Sequence, residues 1–228
     1  MSFTPEANDL RMPLQPQPVR YLRSHWTRPL GPLGYYWFLT FEGNPEIREL
    51  AKGCQALIDF SYFDQVPLDS LHLTLGRIAN VEKLSPAQLD SITSSARYLC
   101  RSTTSFGIEI PSMSSVPSAV ALDVRPVDTV HDLRDTLRTA VSTACPHVSL
   151  RSPKPHPPHI TICYANSDGI SAADAMSAVE NANHTIQSAR VEVTEAKLVL
   201  LERRQRSYSW QVISRIPLAR ASTRTSSE

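Results

Sequence analysis

The chain has 228 residues, of which 20% are charged, and its formal net charge at pH 7 is +1. This length is sufficient for one large domain or for two small lobes that share a substantial core. The near-neutral charge excludes a strongly basic protein that coats nucleic acid, but it is compatible with a local basic groove.

The first residues and the last residues differ in composition from the rest of the chain. Residues 1–34 are rich in proline and show no clear periodicity, which predicts a partly disordered arm. Tyr21, Leu22 and Trp26 are the residues through which this arm would pack on the domain. Residues 219–228 are rich in Ser and Thr, which predicts a disordered tail. The domain itself is therefore expected at 35–218.

The first half of the domain contains strand and helix patterns in alternation. An aromatic run predicts a buried strand, and Asn44 and Ser85 are each followed by Pro, as at helix N-termini. The predicted elements are a strand at 35–41, a helix at 45–60, a strand at about 70–78, a helix after Ser85 and a strand at 106–110.

The second half repeats this order of elements. The predicted elements are a strand at 119–124, a helix at about 127–145, a strand at about 158–165, a helix opened by Ser171, and strands at 191–201 and 208–213. The repetition predicts a bilobal, duplicated α+β fold with lobes at about 35–116 and 117–218, between which strands can cross. We expect two mainly antiparallel sheets with helices on their outer faces and a cleft on a pseudo-two-fold axis.

One four-residue pattern occurs in both halves: His, apolar, Thr, apolar. It begins at His72 and again at His159, about 90 residues later. With seven His and 41% apolar residues, chance predicts roughly 0.1 such matches in the chain. Because side chains alternate along a strand, His72 and Thr74 share one face, as do His159 and Thr161. Two such pairs across a cleft would form a site of two imidazoles and two hydroxyls.

These four groups fit general acid and base catalysis on a phosphodiester. Histidine titrates near neutral pH, so one imidazole can accept a proton while the other donates one. Thr74 and Thr161 would hold the non-bridging phosphate oxygens between them. Opening of a 2′,3′-cyclic phosphate by water suits this arrangement, and the chemistry requires neither a metal nor a cofactor.

The paired motifs in a duplicated lobe resemble those of the 2H phosphoesterase superfamily, in the branch of 2′-5′ RNA ligases, LigT-like proteins and cyclic phosphodiesterases. The resemblance covers about residues 35–218, and both motifs match without departure. It implies a bilobal α+β fold and metal-independent cleavage of 2′-5′ or 2′,3′-cyclic phosphate linkages in RNA or nucleotides. The partners so implied are RNA ends, oligonucleotides or cyclic nucleotides.

The resemblance also bears on the direction of the reaction and on the roles of the histidines. The ligases of this branch are named for one direction of a reversible reaction. Likeness to the cyclic phosphodiesterases implies that His159 is the base and His72 the acid, although the symmetry of the site permits the reverse.

Further candidates for substrate binding lie near the motifs and in the last hairpin. They are Thr40, Lys154, Tyr164, Arg203, Arg206 and Tyr208. The basic residues would attract phosphate, and Tyr208 or Tyr164 would stack on a base. Ordinary structural roles remain open for all six. Strict alternation places Tyr164, and also Arg77, on the face opposite the motif histidines. His25, outside the motifs, is expected to be an ordinary surface residue.

The remaining composition points to a cytoplasmic protein. The four cysteines are widely spaced, which predicts reduced, mostly buried thiols and no zinc site. No apolar run is long enough to span a membrane, and the N-terminus shows no hydrophobic signal region, so we expect no secretion signal. The alternative to an enzyme is a nucleotide- or RNA-binding module on the same fold with little catalysis. A metal-dependent hydrolase is less favoured, since carboxylate or His ligands at metal-binding spacing are lacking.

Overall fold

The computed structural model describes residues 20–152 and 157–220. The predictions for the start of the arm, for Lys154 and for the tail beyond Arg220 lie outside the described residues. Within this part of the chain, no helix is long and apolar enough to cross a membrane.

The described part of the chain contains ten strands and four α-helices. The helices are α1 (Pro45–Leu57), α2 (Pro86–Cys100), α3 (Val127–Ala144) and α4 (Ala173–Asn183). The strands are β1 (Gly31–Thr40), β2 (Phe63–Gln65), β3 (His72–Ala79), β4 (Phe106–Ile110), β5 (Met113–Val116), β6 (Ala119–Asp123), β7 (His159–Ala165), β8 (Ala189–Val193), β9 (Glu195–Arg203) and β10 (Tyr208–Pro217).

The helix starts follow the capping chemistry of the sequence. The Asn44 side chain accepts a hydrogen bond of 2.9 Å from the backbone N–H of Ile47 at the start of α1. At the start of α2, Ser85 and Gln88 exchange side-chain and backbone hydrogen bonds in a capping box. Each cap satisfies N–H groups that a helix leaves unpaired at its first turn. Both predicted helix starts are thereby confirmed.

The sheets are antiparallel throughout. Eight strands are joined in the order β10-β9-β1-β3-β7-β6-β5, with β2 added beside β3 on β7, while β4 and β8 form a separate two-stranded sheet. Among the described residues, β3 and β7 are the strands that join the two halves of the large sheet, and they pair at Leu73 and Ile160. The predicted α+β class with antiparallel sheets and packed helices is confirmed.

The main hydrophobic core lies between the helices and one face of this sheet. Leu73 and Ile160 belong to it, as do Ile47 of α1, Ile92 of α2 and Leu137 of α3. A smaller apolar cluster on the opposite face contains Tyr36, Phe38, Val199 and Leu201. Because side chains alternate on β1 and β3, the motif residues lie on this second face, away from the helices.

Strands from both halves of the chain enter both halves of the sheet. The C-terminal strands β9 and β10 extend the half that contains β1 and β3, whereas β2 and β5 extend the half that contains β6 and β7. The large sheet therefore does not divide at residue 116.

Two details of the predicted elements differ in the structure. The single strand expected at 191–201 is wrong: the chain breaks at Thr194 into β8, which pairs with β4, and β9, which pairs with β1 and β10. The short strands β2 and β5 were not expected, since three or four residues carry little periodicity.

Part of the predicted arm is an ordered connection between the two halves of the sheet. Leu22 is fully buried, and its N–H donates to the carbonyl of Ile170 at 2.8 Å. The N–H of His25 donates to the carbonyl of Ala165 at the end of β7, also at 2.8 Å. The chain then enters β1 at Gly31 in the other half of the sheet. Residues 20–30 therefore run along the cleft face.

Ile160 lies where β3 and β7 pair. We therefore expect its side chain to contribute strongly to the free energy of unfolding. Ile160→Ala removes a fully buried side chain, which should lower the free energy of unfolding by about 2–5 kcal/mol. Urea unfolding of both proteins measures the change. The matched control is Ile213→Ala on β10, where the side chain is 38% exposed and an effect below about 0.5 kcal/mol is expected. Equal effects at both positions would contradict the role of this contact.

Candidate active site

All four motif side chains line one cavity of about 280 Å³ on the face of the sheet opposite the helices. His72 and Thr74 come from β3, and His159 and Thr161 come from β7. The two motifs thus meet in three dimensions, as the sequence predicted.

The register of the crossing explains this convergence. In an antiparallel pair with Leu73 opposite Ile160, the residues on either side point to the other face. Thr74 then stands toward His159, and His72 stands toward Thr161. Since the strands pair at this one position and diverge beyond it, the space between the four side chains stays open.

Both histidines are held in the same way. Nδ1 of His72 lies 3.0 Å from the carbonyl oxygen of Ser70, and Nδ1 of His159 lies 2.9 Å from that of Pro157. A carbonyl oxygen only accepts, so Nδ1 carries the proton in each ring. In each neutral ring Nε2 is therefore the nitrogen that is free to accept a proton.

His72 is the more enclosed of the two histidines. Its ring stacks on Phe38 at 4.3 Å between centroids and meets the edge of Trp210 at 5.0 Å. Burial, together with electrostatic repulsion from His159, lowers the pKa of His72 to about 4, against the opposing effect of the Ser70 hydrogen bond. The electrostatic effect of one ring on the other reflects their proximity. His159, by contrast, is exposed.

A β-bulge follows each motif threonine and redirects the residue three positions later. On β3 the partners of Trp37 and Phe38 are Gly76 and Thr74, so one extra residue lies between them. On β7 the partners of Val120 and Ala121 are Cys163 and Thr161, with the same result. An extra residue reverses the alternation of side chains.

The bulges correct two sequence predictions. Tyr164 was expected to face the core, but it lines the cavity of the motif residues. Arg77 was expected on the face opposite the motif, but it lies with Thr74 in the wall of an adjoining cavity of about 700 Å³. Strict period-two alternation cannot anticipate a bulge, and both positions were mispredicted for this one reason.

An aromatic cluster forms one wall of the cavity that the motif residues line. Tyr164 stacks on His25 at 4.0 Å, and the hydroxyl of Tyr208 lies 2.7 Å from Nε2 of His25. Trp26 contacts both tyrosine rings, at centroid distances of 5.2 and 5.5 Å. Burial raises the pKa of both tyrosines, so their hydroxyls stay protonated at neutral pH.

His25 is the main residue that the sequence reasoning missed. It was expected to be an ordinary surface residue, but it is half-buried in the cavity wall. Burial, with the nearby positive charges of Arg28 and Arg203, lowers its pKa to about 4. Arg28, from the same segment, also lines the cavity. No motif marks either residue, because their position depends on how residues 20–30 cross the sheet.

Three other predicted substrate-binding residues, Thr40, Arg203 and Arg206, lie outside this cavity. Arg203 is buried under Trp26, with its guanidinium 3.0 Å from the Trp26 carbonyl oxygen. Arg206 pairs with Asp64 at 3.3 Å, behind His72. The Thr40 hydroxyl accepts a hydrogen bond of 2.6 Å from the buried Lys197. Arg203 and Lys197 thus contact neighbouring groups of the fold. Among the described residues, no three His, Cys, Asp or Glu side chains are grouped so that they could bind a metal ion.

The sequence model of the 2′-5′ RNA ligase superfamily matches residues 43–205 of this chain. The match includes both motifs and the strands that carry them. No curated protein sequence matches the chain significantly.

Solved structures with the same fold have low sequence identity to this chain. TT0787 of Thermus thermophilus is similar with a TM-score of 0.61 and 17% identity, over 81% of this chain and 97% of that chain. E. coli LigT complexed with 3′-AMP is similar with a TM-score of 0.60 and 19% identity, over 82% of this chain and 98% of that chain. LigT complexed with NADP+ gives the same four values. At these identities the likeness establishes the fold.

The two histidines with a pKa of about 4 predict a loss of stability in acid. In the unfolded chain both would protonate near pH 6.5, so the unfolded state binds more protons between pH 6.5 and 4. The stability that the neutral rings contribute is fully present above pH 6.5 and is lost as the pH falls through this window. Urea unfolding at pH 7 and pH 5 should show a smaller loss for His25→Gln than for the wild type. Equal losses would contradict the lowered pKa of His25.

Proposed function

Because the chain belongs to the 2′-5′ RNA ligase superfamily, we propose that it is a phosphoesterase of the 2H type. Its substrates are 2′,3′-cyclic phosphate or 2′-5′ phosphodiester linkages of RNA or nucleotides. The observation that carries this proposal is the convergence of both His-x-Thr pairs on one cavity. The nucleotides bound to LigT, which has the same fold, support a nucleotide substrate.

The paired imidazoles supply both proton transfers. The Nδ1 hydrogen bonds to Ser70 and Pro157 orient each ring, which leaves each Nε2 as the proton carrier. For a cyclic phosphate, one Nε2 takes a proton from the attacking water as its oxygen bonds to phosphorus. The other gives a proton to the ribose oxygen as the bond from phosphorus to that oxygen breaks. The product is a phosphomonoester and a free ribose hydroxyl.

The threonines hold the phosphate in line between the histidines. Thr74 and Thr161 each stand next to a motif histidine on the cavity wall. Their hydroxyls can donate to the non-bridging oxygens, on which negative charge accumulates as water attacks. Holding the phosphate this way replaces a bimolecular encounter with a positioned reaction. The same groups serve ligation, in which a ribose hydroxyl takes the place of water: its oxygen bonds to phosphorus as one ribose oxygen of the cyclic phosphate leaves and takes up a proton, and a phosphodiester forms.

The environment of His72 bears on which histidine is the base. A general base must be neutral before the reaction, and a pKa of about 4 keeps His72 neutral at pH 7. We therefore assign hydrolytic base function to His72 and acid function to the exposed His159. This is the reverse of the roles implied by likeness to the cyclic phosphodiesterases, and the symmetry of the site accommodates it.

His72→Ala and His159→Ala each remove one proton carrier and should lower kcat by roughly 10²–10⁴-fold. Hydrolysis of a 2′,3′-cyclic nucleotide and of a 2′-5′ linked dinucleotide, with product analysis, measures the effect. The matched control is His184→Ala at the end of α4, which should keep full activity. Wild-type activity in His72→Ala would refute the mechanism. Nucleotide binding without any turnover would instead favour the binding-module alternative.

The proposed chemistry uses side chains alone, so we expect full activity in EDTA. The experiment compares hydrolysis rates of the purified protein before and after EDTA treatment, and again after Mg²⁺ or Mn²⁺ is added back. A rate that falls with EDTA and returns with one of the metals would contradict metal-independent catalysis.

A further inference from the structure

We call the 280 Å³ cavity of the motif residues the catalytic cavity. The adjoining cavity of about 700 Å³ has a strongly positive wall. Five arginines line it against a single acidic residue, Glu82, in a chain whose net charge is only +1. These are Arg28, Arg77, Arg134, Arg138 and Arg151. Such a concentration of one charge in a concave surface attracts anions. We call this cavity the arginine groove.

The arginine groove is continuous with the catalytic cavity. Thr74, His159, Arg28 and Tyr36 line both of them. His72 lines only the catalytic cavity of the two. The groove therefore leaves the site on the side of His159 and Thr74.

Three of the arginines are oriented by hydrogen bonds to neighbouring groups; Arg77 also donates to the Asn80 side chain, and Arg134 donates to both carboxylate oxygens of Asp135. Arg134 and Arg138 lie one turn apart on α3, so they share a face of the helix. Arg138 donates to the carbonyl of Arg151 at 2.9 Å, and Arg77 donates to the carbonyl of Leu33 at 2.8 Å. A guanidinium has five N–H donors, so each of these two retains others for a ligand. Arg134 is also paired with its neighbour Asp135 at 2.9 Å.

Carbonyl partners orient a guanidinium without cancelling its charge. Arg77 and Arg138 therefore present positive charge from fixed positions, which suits recognition of phosphate by planar donors. Apart from Arg28, the arginines of the groove lie on β3, on α3 and on the loop that follows α3. Groups spaced in this way fit several successive phosphates better than one compact anion.

We propose that the arginine groove binds the phosphodiester backbone of a single-stranded RNA whose end is processed in the catalytic cavity. This inference rests on the proposed function and specifies its substrate as an oligonucleotide end rather than a free mononucleotide. A chain that ends in a cyclic phosphate extends from the ribose whose oxygen leaves. That ribose lies beside the histidine that acts as acid, which agrees with a groove on the side of His159.

The test compares binding of two product-like ligands that the enzyme does not cleave. One is a labelled single-stranded RNA of about six nucleotides with a 3′-phosphate, whose binding is measured by fluorescence anisotropy. The other is 3′-AMP, measured by competition. For the wild type at low salt, the RNA should bind at least about tenfold more tightly, with log Kd changing by roughly 0.7 per log unit of salt for each phosphate contacted.

The double variant Arg134→Ala and Arg138→Ala should lose most of this preference and reduce the salt slope by about 1 to 1.5. The matched control removes two arginines that line neither cavity, Arg101 and Arg190, and should bind RNA as the wild type does. Replacing Arg134 and Arg138 by Lys keeps the charge and should keep most of the salt slope. Circular dichroism and thermal unfolding establish that each variant is folded.

The outcomes separate this inference from the proposed function. Equal affinity of the wild type for RNA and 3′-AMP, or a folded alanine double variant with unchanged RNA affinity and salt slope, would overturn the arginine groove. Competition by ATP as effective as that by RNA would also overturn it, since a compact polyphosphate would then suffice. Hydrolysis of a cyclic nucleotide is assayed in parallel. Turnover without groove-dependent RNA binding refutes the groove alone, and groove-dependent binding without turnover refutes the catalytic proposal alone.

Discussion

The contact between Leu73 and Ile160 is the constraint on which the rest of the structure depends. It is the one register position at which the two halves of the large sheet pair across β3 and β7. Both side chains are buried in the core on the helix side. A strand that buries one residue must present its neighbours on the other face. The burial of two aliphatic side chains therefore brings two histidines and two threonines together, although no contact among those four is needed to hold the fold.

The symmetric scaffold carries an asymmetric site because different residues follow the two bulges. Each motif threonine is followed by an extra residue, and the side chain three positions later returns to the cleft side. In the first motif strand that side chain is Arg77, in the wall of the arginine groove. In the second it is Tyr164, in the aromatic wall. The two bulges therefore share a backbone geometry but carry different side chains. One places a positive charge next to the first His-x-Thr pair, and the other places a flat apolar surface next to the second.

The segment from residue 20 to residue 30 adds to the wall of the cavity that the motif residues line, from outside the two motif strands. Backbone hydrogen bonds to Ala165, Ile170 and Pro117 fix it to the half of the sheet that contains β7. It carries His25 and Arg28 to the cavity of the motif residues. Arg203, which lies below Trp26, contacts both the carbonyl and the ring of that residue. Arg203 is therefore placed to support the aromatic wall from behind rather than to contact substrate.

The sequence alone determined the fold class, the order of the main elements and the four motif residues. Periodicity, capping residues and a repeated motif are local signals, and local signals persist in the structure. Only the tertiary structure decided where Arg77 and Tyr164 point, since a bulge depends on the pairing of two strands and not on either strand alone. It also decided that His25 lines the cavity of the motif residues and that Arg134 and Arg138 line the arginine groove from α3, because these placements depend on long-range packing. The sequence could name the four motif residues, but the walls around them come from residues that meet only when the chain is folded.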